Sequence, residues 1–544
     1  MKALQIFLTC FIFLIGQVVL SYADDVKGTV VPLPGDEGSN WGHSVDISGT
    51  TLIAGYTWNI ANESGVYIME RKGEEWEVLN HFPSPHPNQI DWFGHAVALD
   101  GNFAVIGAYN TQGGKQLIAE RGLLHDGPGR VYVYQRGGAG DFTLMRNFKA
   151  DDLQDFDWFG FSVNISGTTL IASAPFHDQE KGAVYVYTLE GDEWIQQAKL
   201  QANDAFPKNR FGWDCAISEN TIVVGAPLAA APHRLSGTAY VFKRQGAVWA
   251  QVARLAPHDG DSGDHFGVSV DVSESRVIVG ADKDRDRLKG RHGSAYIFNA
   301  VGNAYTQEAK LTADEIQEGA SFGWTVAIDF NRALVGAPST DTKIGEDSGA
   351  VYAFLKVGPD WVLQTIIIPE RGLGKEGGES MGYAVALDGE FGRDFNYAAI
   401  GVPRDDVPKR LDRGSVYLFD TEDVHNLNIP VSVEPADELR LIMLGEVKRT
   451  ALLQNFPNPF NPETWIPYQL AKSVDVSIGI YDVQGHRIRR IELGAQSAGS
   501  YLTEETAAYW DGKDQYGTSV SSGVYFYTLE VDAFSKTRRM VIRK

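Results

Sequence analysis

Clusters of carboxylates in short polar segments are the residues of this sequence best suited to bind a metal ion. In "HDGDSGD", which begins at His258, acidic residues alternate with small ones, and a second cluster lies earlier in the chain. Calcium prefers six to eight oxygen ligands, and alternate acidic residues in a glycine-bearing loop can supply several of them. The candidate ligands are Asp259, Asp261, Asp264, Asp151, Asp155 and Asp157. Calcium is the only cofactor that the sequence raises, and solvated acidic turns are the alternative.

Aromatic and imidazole side chains form a second group of candidate binding residues. They recur beside Phe-Gly pairs and in the long segments that follow. Gathered on one surface, such side chains can bind a glycan or a protein partner. The alternative is that the Trp rings cap a hydrophobic core. The candidates are Trp92, Tyr109, Trp158, His177, Trp213, His233, His292 and Trp324.

Catalytic motifs are missing from the sequence. It contains no His-Glu-x-x-His pair and no phosphate-binding loop. Cys215 follows Phe211-Gly212 on a predicted inner strand, where a buried, unreactive thiol is expected. The sequence therefore predicts that the chain is not an enzyme.

The net charge and the N-terminal sequence limit the classes of protein to which this chain can belong. The formal net charge is -22, which argues against nucleic-acid partners, because these need clustered Lys and Arg. Residues 1–23 resemble a secretory leader, with an apolar run and a small-residue exit at Ala23. A membrane anchor is the alternative, and no later segment is apolar enough to span a bilayer. We expect a protein that is secreted or held at the extracellular cell surface.

Three short signals recur seven times and indicate a repeat architecture. The first is an aromatic residue or Met before Gly, the second is a small-residue pair such as Gly-Ala-Pro, and the third is a Gly-led aromatic strand such as "GAVYVY" from Gly182. The first signal stands at Trp41-Gly42, Phe93-Gly94, Phe159-Gly160, Phe211-Gly212, Phe266-Gly267, Phe322-Gly323 and Met381-Gly382. The pattern of each unit predicts four short strands, and a repeated unit of four short strands is typical of a propeller blade.

The ends of the array predict how the ring closes. The seventh unit has no convincing fourth strand after Phe419, whereas residues 26–33 precede the first unit as a fourth strand would. We predict that this N-terminal strand completes the last blade. The connections between strands 2 and 3 and between blades are long and varied, so one face should carry recognition.

These residues resemble FG-GAP repeats, the family of seven-bladed β-propellers found in integrin α-subunits and many exported bacterial proteins. The resemblance covers residues 24–420 and implies an all-β, seven-bladed propeller of four-stranded antiparallel blades. The calcium-binding repeats of integrins carry Asp-x-Asp-x-Asp-Gly loops between inner strands, and no unit here has that pattern.

The remaining sequence predicts a linker at 421–450 and a second domain at 451–544. In the latter, Val474, Val476, Ile478 and Ile480 alternate with other residues as in a half-buried strand, and a small immunoglobulin-like β-sandwich is expected. The segments "NFPNPFNP" from Asn455 and "YWDGKDQYGTSVSSGVYFYTLE" from Tyr509 resemble the FlgD-type Ig-like domain and the type A sorting domain of the type IX secretion system. That resemblance implies recognition by secretion machinery.

Together these features predict an exported bacterial binding or adhesion protein. Its propeller loop face would recognise a protein or glycan partner, and its C-terminal domain would serve secretion sorting or surface attachment. The alternatives are a secreted hydrolase or lyase acting on polysaccharide, and a structural component of the cell surface.

Overall fold

A computed structural model describes most of both predicted domains. The described residues are 29–31, 40–57, 64–72, 75–86, 91–110, 127–138, 140–230, 236–286, 290–302, 304–313, 316–342, 345–369, 378–388, 397–404, 414–420, 451–452, 463–470, 472–482, 486–497, 499–501, 506–531 and 534–542. The predicted leader and the predicted linker lie outside them. Among these residues no helix is long and apolar enough to cross a membrane. The chain divides into two compact units, Tyr22–His425 and one that contains Asn426–Lys544.

The described residues of the first unit form seven four-stranded antiparallel sheets, which we number as blades 1 to 7. Blades 1 to 6 are continuous in the chain. Their strands are Ser44–Ser48, Thr51–Tyr56, Gly65–Lys72 and Glu75–Pro83 in blade 1; Ala96–Asp100, Phe103–Ala108, Arg130–Arg136 and Phe142–Phe148 in blade 2; Val163–Ser166, Thr169–Ala174, Ala183–Glu190 and Glu193–Leu200 in blade 3; Cys215–Ser218, Thr221–Ala226, Thr238–Gln245 and Val248–Leu255 in blade 4; Val270–Ser273, Arg276–Ala281, Ser294–Val301 and Ala304–Leu311 in blade 5; Thr325–Asp329, Arg332–Ala337, Ala350–Val357 and Asp360–Ile367 in blade 6.

Blade 7 joins the two ends of the array. It contains Ala384–Asp388, Tyr397–Val402 and Ser415–Asp420, and its outermost strand is Thr29–Val31, which pairs antiparallel with Ser415–Asp420. This is the position that the sequence predicted for residues 26–33. The first strand of each blade contacts the first strand of the next, and blade 7 contacts blade 1, so the ring is closed. Two smaller elements, a ribbon of Arg285–Asp286 with Gly290–Arg291 and one helical turn at His177–Glu180, lie in strand 2 to strand 3 connections.

Glycine and Phe make the close packing of neighbouring blades possible. Gly160, at φ +86°, lies so close to Gly107 of the preceding blade that a Cβ on Gly107 would sit 2.0 Å from the Gly160 carbonyl oxygen. A side chain cannot be accommodated at that distance. The Phe159 ring is fully buried and packs edge-to-face on Tyr185, with ring centroids 5.6 Å apart. The hydrophobic core therefore lies between blades, as in the cluster shared by blades 2 and 3.

The second unit is a small β-sandwich. One sheet contains Arg487–Gln496, Val474–Tyr481, Gly523–Val531 and Phe534–Ile542; the other strands are Ala451–Leu452, Tyr468–Leu470, Gly499–Tyr501, Thr464–Ile466 and Ala508–Trp510. The alternating residues Val476, Ile478 and Ile480 are buried against Trp510 and Tyr527, as their pattern predicted. The "NFPNPFNP" segment lies outside the described residues.

Candidate aromatic funnel on the ring axis

The residue that follows each repeat glycine lines a cavity on the ring axis. Strand 1 of every blade begins here, so the seven-fold repetition brings seven distant positions together around one centre. The cavity has a volume of about 420 Å³, and the seven residues at its wall are His43, His95, Phe161, Trp213, Val268, Trp324 and Tyr383. Because strand 1 begins after a long blade-to-blade connection, these residues lie on the face that the long connections share.

Six of the seven residues are aromatic, and their rings form a continuous arc. The ring centroids of His43 lie 5.0 Å from those of both Tyr383 and His95. The arc continues through Phe161 to Trp213 in one direction, with spacings of 4.8 and 4.9 Å, and to Trp324 in the other, 5.7 Å from Tyr383. Blade 5 interrupts it with Val268. We call this arc with the cavity below it the aromatic funnel.

A second tier of side chains surrounds the funnel, and its backbone is strained. The residue before each aromatic-Gly or Met-Gly pair has a left-handed φ, between +47° and +60°, in all seven blades. Those residues are Asn40, Trp92, Trp158, Arg210, His265, Ser321 and Ser380. Left-handed φ is costly for a bulky side chain, of the order of 1–3 kcal/mol. Trp is therefore an unfavourable choice at two of these positions on folding grounds.

The two strained Trp residues extend the aromatic surface over blades 2 and 3. Trp92 stacks on Tyr109 at 5.6 Å, Tyr109 lies 4.9 Å from Trp158, and Trp158 lies 4.1 Å from Phe176. The guanidinium of Arg210 covers the Phe176 ring at 4.7 Å. The funnel rings together with Trp92, Tyr109, Trp158 and Phe176 form what we call the aromatic region. It contains five of the residues predicted to bind a partner: Trp92, Tyr109, Trp158, Trp213 and Trp324.

Polar side chains deeper in the cavity hold the blades together. Asp46 accepts one hydrogen bond from its own blade, from the Ile47 amide at 2.8 Å, and one from blade 2, from the Leu99 amide at 2.7 Å. Asp271 repeats this arrangement with the amides of Val272 and Ile328. Burial raises the pKa of both carboxyl groups to about 7, although these hydrogen bonds oppose the shift.

Asp214 and Asn164 complete the polar floor of the funnel. Asp214 accepts hydrogen bonds from the amides of Cys215 and Val270 and from the Ser162 hydroxyl, and burial raises its pKa. A smaller cavity of about 240 Å³ lies further along the axis and shares Asp46 and Asn164 with the funnel. Cys215 is buried beside Ser162, as the sequence predicted for its position on an inner strand.

The two histidines of the funnel are neutral at physiological pH. Burial lowers the pKa of His43 to about 4, and burial together with the neighbouring His43 lowers that of His95 to about 3. Nε2 of His43 lies 3.5 Å from the Tyr383 hydroxyl, and Nδ1 of His95 lies 3.1 Å from the Phe161 carbonyl oxygen. Both rings therefore contribute uncharged aromatic surface.

The predicted calcium ligand Asp259 lies in a network with a lysine and a tyrosine. Asp259 forms an ion pair with Lys310 at 2.6 Å and accepts a hydrogen bond from the Tyr296 hydroxyl at 3.2 Å. Burial would raise the pKa of Asp259, but Lys310 outweighs it and holds the pKa below its usual value. Lys310 also pairs with the buried Asp284 at 2.7 Å. This acid, Lys and Tyr set anchors the connection entering blade 5 to the last strand of that blade.

Blade 3 repeats this anchor, and the equivalent of Asp284 there is a histidine. Asp152 pairs with Lys199 at 2.5 Å and accepts a hydrogen bond from Tyr185 at 2.8 Å. Nζ of Lys199 also lies 2.8 Å from Nε2 of His177, whose Nδ1 lies 2.7 Å from Asp157. His177 is therefore buried in the anchor and lines neither axial cavity.

The other acidic candidates do not converge. Asp151, Asp155 and Asp261 are exposed, and the buried Asp264 accepts a hydrogen bond from the Asp261 amide. Of the six, Asp264 alone keeps a buried oxygen, Oδ1, without a partner in the described structure. Within the described ranges, no three His, Cys, Asp or Glu side chains are grouped so that they could hold a metal ion.

Of the two remaining predicted histidines, only His292 lies among the described residues. His292 is buried, and its Nδ1 lies 2.7 Å from the Gly293 carbonyl oxygen. His233 lies outside the described residues. Sequence reasoning missed His43, His95, Phe161 and Tyr383, although aligning the residue after each repeat glycine would have found them.

Comparison with known proteins supports both domains. The FG-GAP repeat family matches residues 85–134, 142–187, 194–242, 249–298 and 305–354, and the FlgD Ig-like domain matches residues 462–536. The five matches contain the Phe-Gly pairs of blades 2 to 6, whereas blades 1 and 7 carry Trp41 and Met381 in place of Phe. A search of curated proteins finds no match to this chain.

One solved structure in the comparison is PorZ, described as an essential bacterial surface component of the type-IX secretion system of Porphyromonas gingivalis. It is 13% identical, with a TM-score of 0.38, and the match covers 94% of this chain. This chain spans 61% of the length of that one. No conclusion about this chain rests on a likeness at that level. The repeat matches and the closed ring of blades establish that this chain is an FG-GAP repeat propeller protein with a C-terminal FlgD Ig-like domain.

Proposed function

We propose that this chain is an exported bacterial binding protein whose propeller captures a protein or glycan partner on its aromatic region. The observation that supports this most is the pair of strained residues Trp92 and Trp158. Strain of this kind persists where function favours it, because Asn or Gly would satisfy the same backbone at lower cost. Aromatic side chains also contribute most to binding energy at interfaces.

Binding is proposed ahead of catalysis because the funnel histidines are not paired with the funnel carboxylates in the part of the chain that the structure describes. Among the described residues His43 and His95 contact a hydroxyl and a carbonyl group, while the funnel carboxylates accept hydrogen bonds from main-chain amides and a serine. His177 does lie near two carboxylates, but Lys199 occupies its second ring nitrogen. A general base needs a nitrogen or oxygen that substrate can reach.

The C-terminal domain is assigned a role in export or attachment. A FlgD Ig-like domain following a propeller, with a predicted leader at residues 1–23, fits a protein that crosses the cell envelope and is displayed or released. Expression of a chain ending at residue 420 in the native bacterium tests this role. We expect the shortened chain to stay within the envelope while the full chain reaches the surface or medium, and equal export of the two would contradict it.

The binding proposal is tested with an array of glycans and extracellular-matrix proteins probed by the mature chain. We expect capture by the unaltered protein and at least a tenfold loss, about 1.4 kcal/mol, in a double variant, Trp92→Asn with Trp158→Asn. Asn stands at the equivalent position of blade 1, so the variant fits the backbone. The melting temperature should change by no more than about 2 °C, because relieved strain offsets lost packing.

A matched control is Trp361→Ala, which removes a half-buried indole from the outermost strand of blade 6. This variant should bind the array like the unaltered protein. Equal loss in both variants would mean that the aromatic region is not the binding surface. Absence of capture by the unaltered protein would leave a structural role ahead of binding.

A further inference from the structure

We propose that the aromatic funnel is a subsite for a neutral, hydroxyl-rich ring, such as the end unit of a glycan. This inference rests on the proposed binding function and specifies the chemistry that the funnel selects. It draws on the wall, the floor and the charge of the cavity, which are independent of the strained Trp residues of the outer tier.

The wall of the funnel provides flat apolar surface at several angles around the axis. Trp213, Trp324 and Tyr383 are each partly exposed, and the neutral rings of His43 and His95 fill the arc between Tyr383 and Phe161. A sugar ring has C–H faces that pack on aromatic rings, with its hydroxyl groups directed to the edge. A volume of about 420 Å³ lies within the usual range for small-molecule sites.

The floor provides acceptors that remain available for hydroxyl donors. Each carboxylate oxygen of Asp46 and Asp271 accepts one hydrogen bond from a main-chain amide. A carboxylate oxygen has two lone pairs, so each retains capacity for a ligand hydroxyl. The Asn164 amide lines both axial cavities together with Asp46 and contributes both donor and acceptor groups. An apolar ligand would leave this floor unsatisfied at a cost of about 1–3 kcal/mol for each polar group.

The charge of the cavity disfavours ions of either sign. No Lys or Arg stands among the described residues that line it, so nothing there would balance an anion. The carboxylates already receive several N–H and O–H donors, which compensate their negative charge. Burial also raises the pKa of Asp46 and Asp271 to about 7, so that they are only partly ionised near neutrality. A hydroxyl-rich neutral ligand matches this environment better than an amine.

Titration of the mature full chain with small probes tests the subsite. The neutral probes are the methyl glycosides of glucose, galactose, mannose, fucose and N-acetylglucosamine, and the charged probes are galacturonate and lysine amide. Binding is followed by saturation-transfer NMR and by Trp fluorescence, up to about 10 mM, which is ten times a weak dissociation constant of ~1 mM. We expect saturable binding of at least one glycoside and none of either charged probe.

Two variants assign the binding to the funnel. Trp324→Ala removes part of the wall, and Asn164→Ala removes a floor amide while leaving the aromatic arc intact. Each variant should lower the affinity for the glycoside at least about tenfold. The controls are Trp361→Ala on an outer strand and Asn203→Ala in an exposed connection, and both should bind normally.

Three results would overturn the subsite: no glycoside binds, lysine amide binds in place of the glycosides, or the two funnel variants bind as well as the controls. Its failure is distinguishable from failure of the proposed function. Array capture that is lost in the double Trp92→Asn and Trp158→Asn variant, with no glycoside binding in the funnel, keeps the binding function and removes the subsite.

Discussion

The propeller holds two sets of aspartates that behave in opposite ways. Asp152 and Asp259 lie in the connections between blades, where Lys199 and Lys310 outweigh partial burial and keep their pKa values low. Asp46 and Asp271 lie on the axis, where burial raises the pKa to about 7 and the hydrogen-bond donors are almost all main-chain amides. Each acid of the first set lies within a local run of acidic residues in the sequence. Each acid of the second set stands alone in the first strand of its blade.

Acids that cluster in the connections are paired with lysines, whereas acids spread over separate blades line a common cavity. Each connection acid is paired with a cation from the strand that ends the same blade, about fifty residues later. Its role is to fix the connection. The axial acids face a shared cavity only because the ring closes, which places residues as distant as His43 and Tyr383 in contact.

Removing the cation from one anchor should produce the largest effect. In Lys310→Ala, Asp284 would remain buried, at 3% exposure, without its ion-pair partner. Breaking a buried pair in this way costs about 3–5 kcal/mol, and we expect about 3 kcal/mol because Asp259 is half exposed. Urea unfolding measures the change. The matched control is Lys72→Ala at an exposed pair with Glu77, which should leave the free energy of unfolding nearly unchanged, because water screens an exposed ion pair.

Equal effects of these two lysine substitutions would show that the acid, Lys and Tyr set does not anchor the connection. The carboxylates of the 259–264 segment would then be available for another role, calcium binding included.

The axial aspartates should make stability depend on pH with a negative slope. Burial raises the folded-state pKa of Asp271 to about 7 from 3.8, so the folded chain binds more protons than the unfolded chain between these values. Its contribution to the free energy of unfolding is therefore complete below pH 4 and is lost as pH rises through 7. His43 and His95, with lowered pKa values, act in the opposite direction between about pH 4 and 6.5.

Asp271→Asn isolates the aspartate contribution, because Asn does not titrate. The difference in unfolding free energy, variant minus unaltered protein, should rise by the order of 1–3 kcal/mol from pH 5 to pH 8. Urea unfolding at several pH values gives this slope. A difference that is flat, or that falls with pH, would show that the axial carboxyl groups are not held by burial as described.

Calcium should have the smallest effect. If the connection acids are committed to Lys, Tyr and main-chain partners, millimolar calcium or EDTA should shift the melting temperature by less than about 1 °C, because an ion that does not bind the folded state cannot stabilise it. Thermal scans with each additive check this. A larger stabilisation by calcium would point to the Asp264 region, where Oδ1 has no partner among the described residues.

Much of the fold could be predicted from the sequence, because it depends on local rules repeated seven times. Phe-Gly pairs such as Phe159-Gly160, small second-strand residues such as Gly107 and the Gly-led aromatic strands each have a direct packing role between blades. The Thr29–Val31 strand could be placed because blade 7 otherwise lacks a fourth strand.

The candidate site was harder to predict, because it depends on closure and on backbone conformation. His43 and Tyr383 carry no local signal of a shared cavity, and the left-handed φ of Trp92 and Trp158 is invisible in a residue pattern. His177 shows the opposite difficulty, since a histidine in a varied connection turned out to belong to a buried anchor.

The central claim is that partners bind the aromatic region and not the acidic connections. The most direct measurement compares the affinity of one array-selected partner for two double variants, in calcium and in EDTA. The first is Trp92→Asn with Trp158→Asn, and the second is Asp155→Ala with Asp261→Ala, whose side chains are exposed. We expect at least a tenfold loss of affinity in the first variant and no change in the second, with or without calcium. Loss of binding in the second variant or in EDTA, with binding retained in the first, would contradict it.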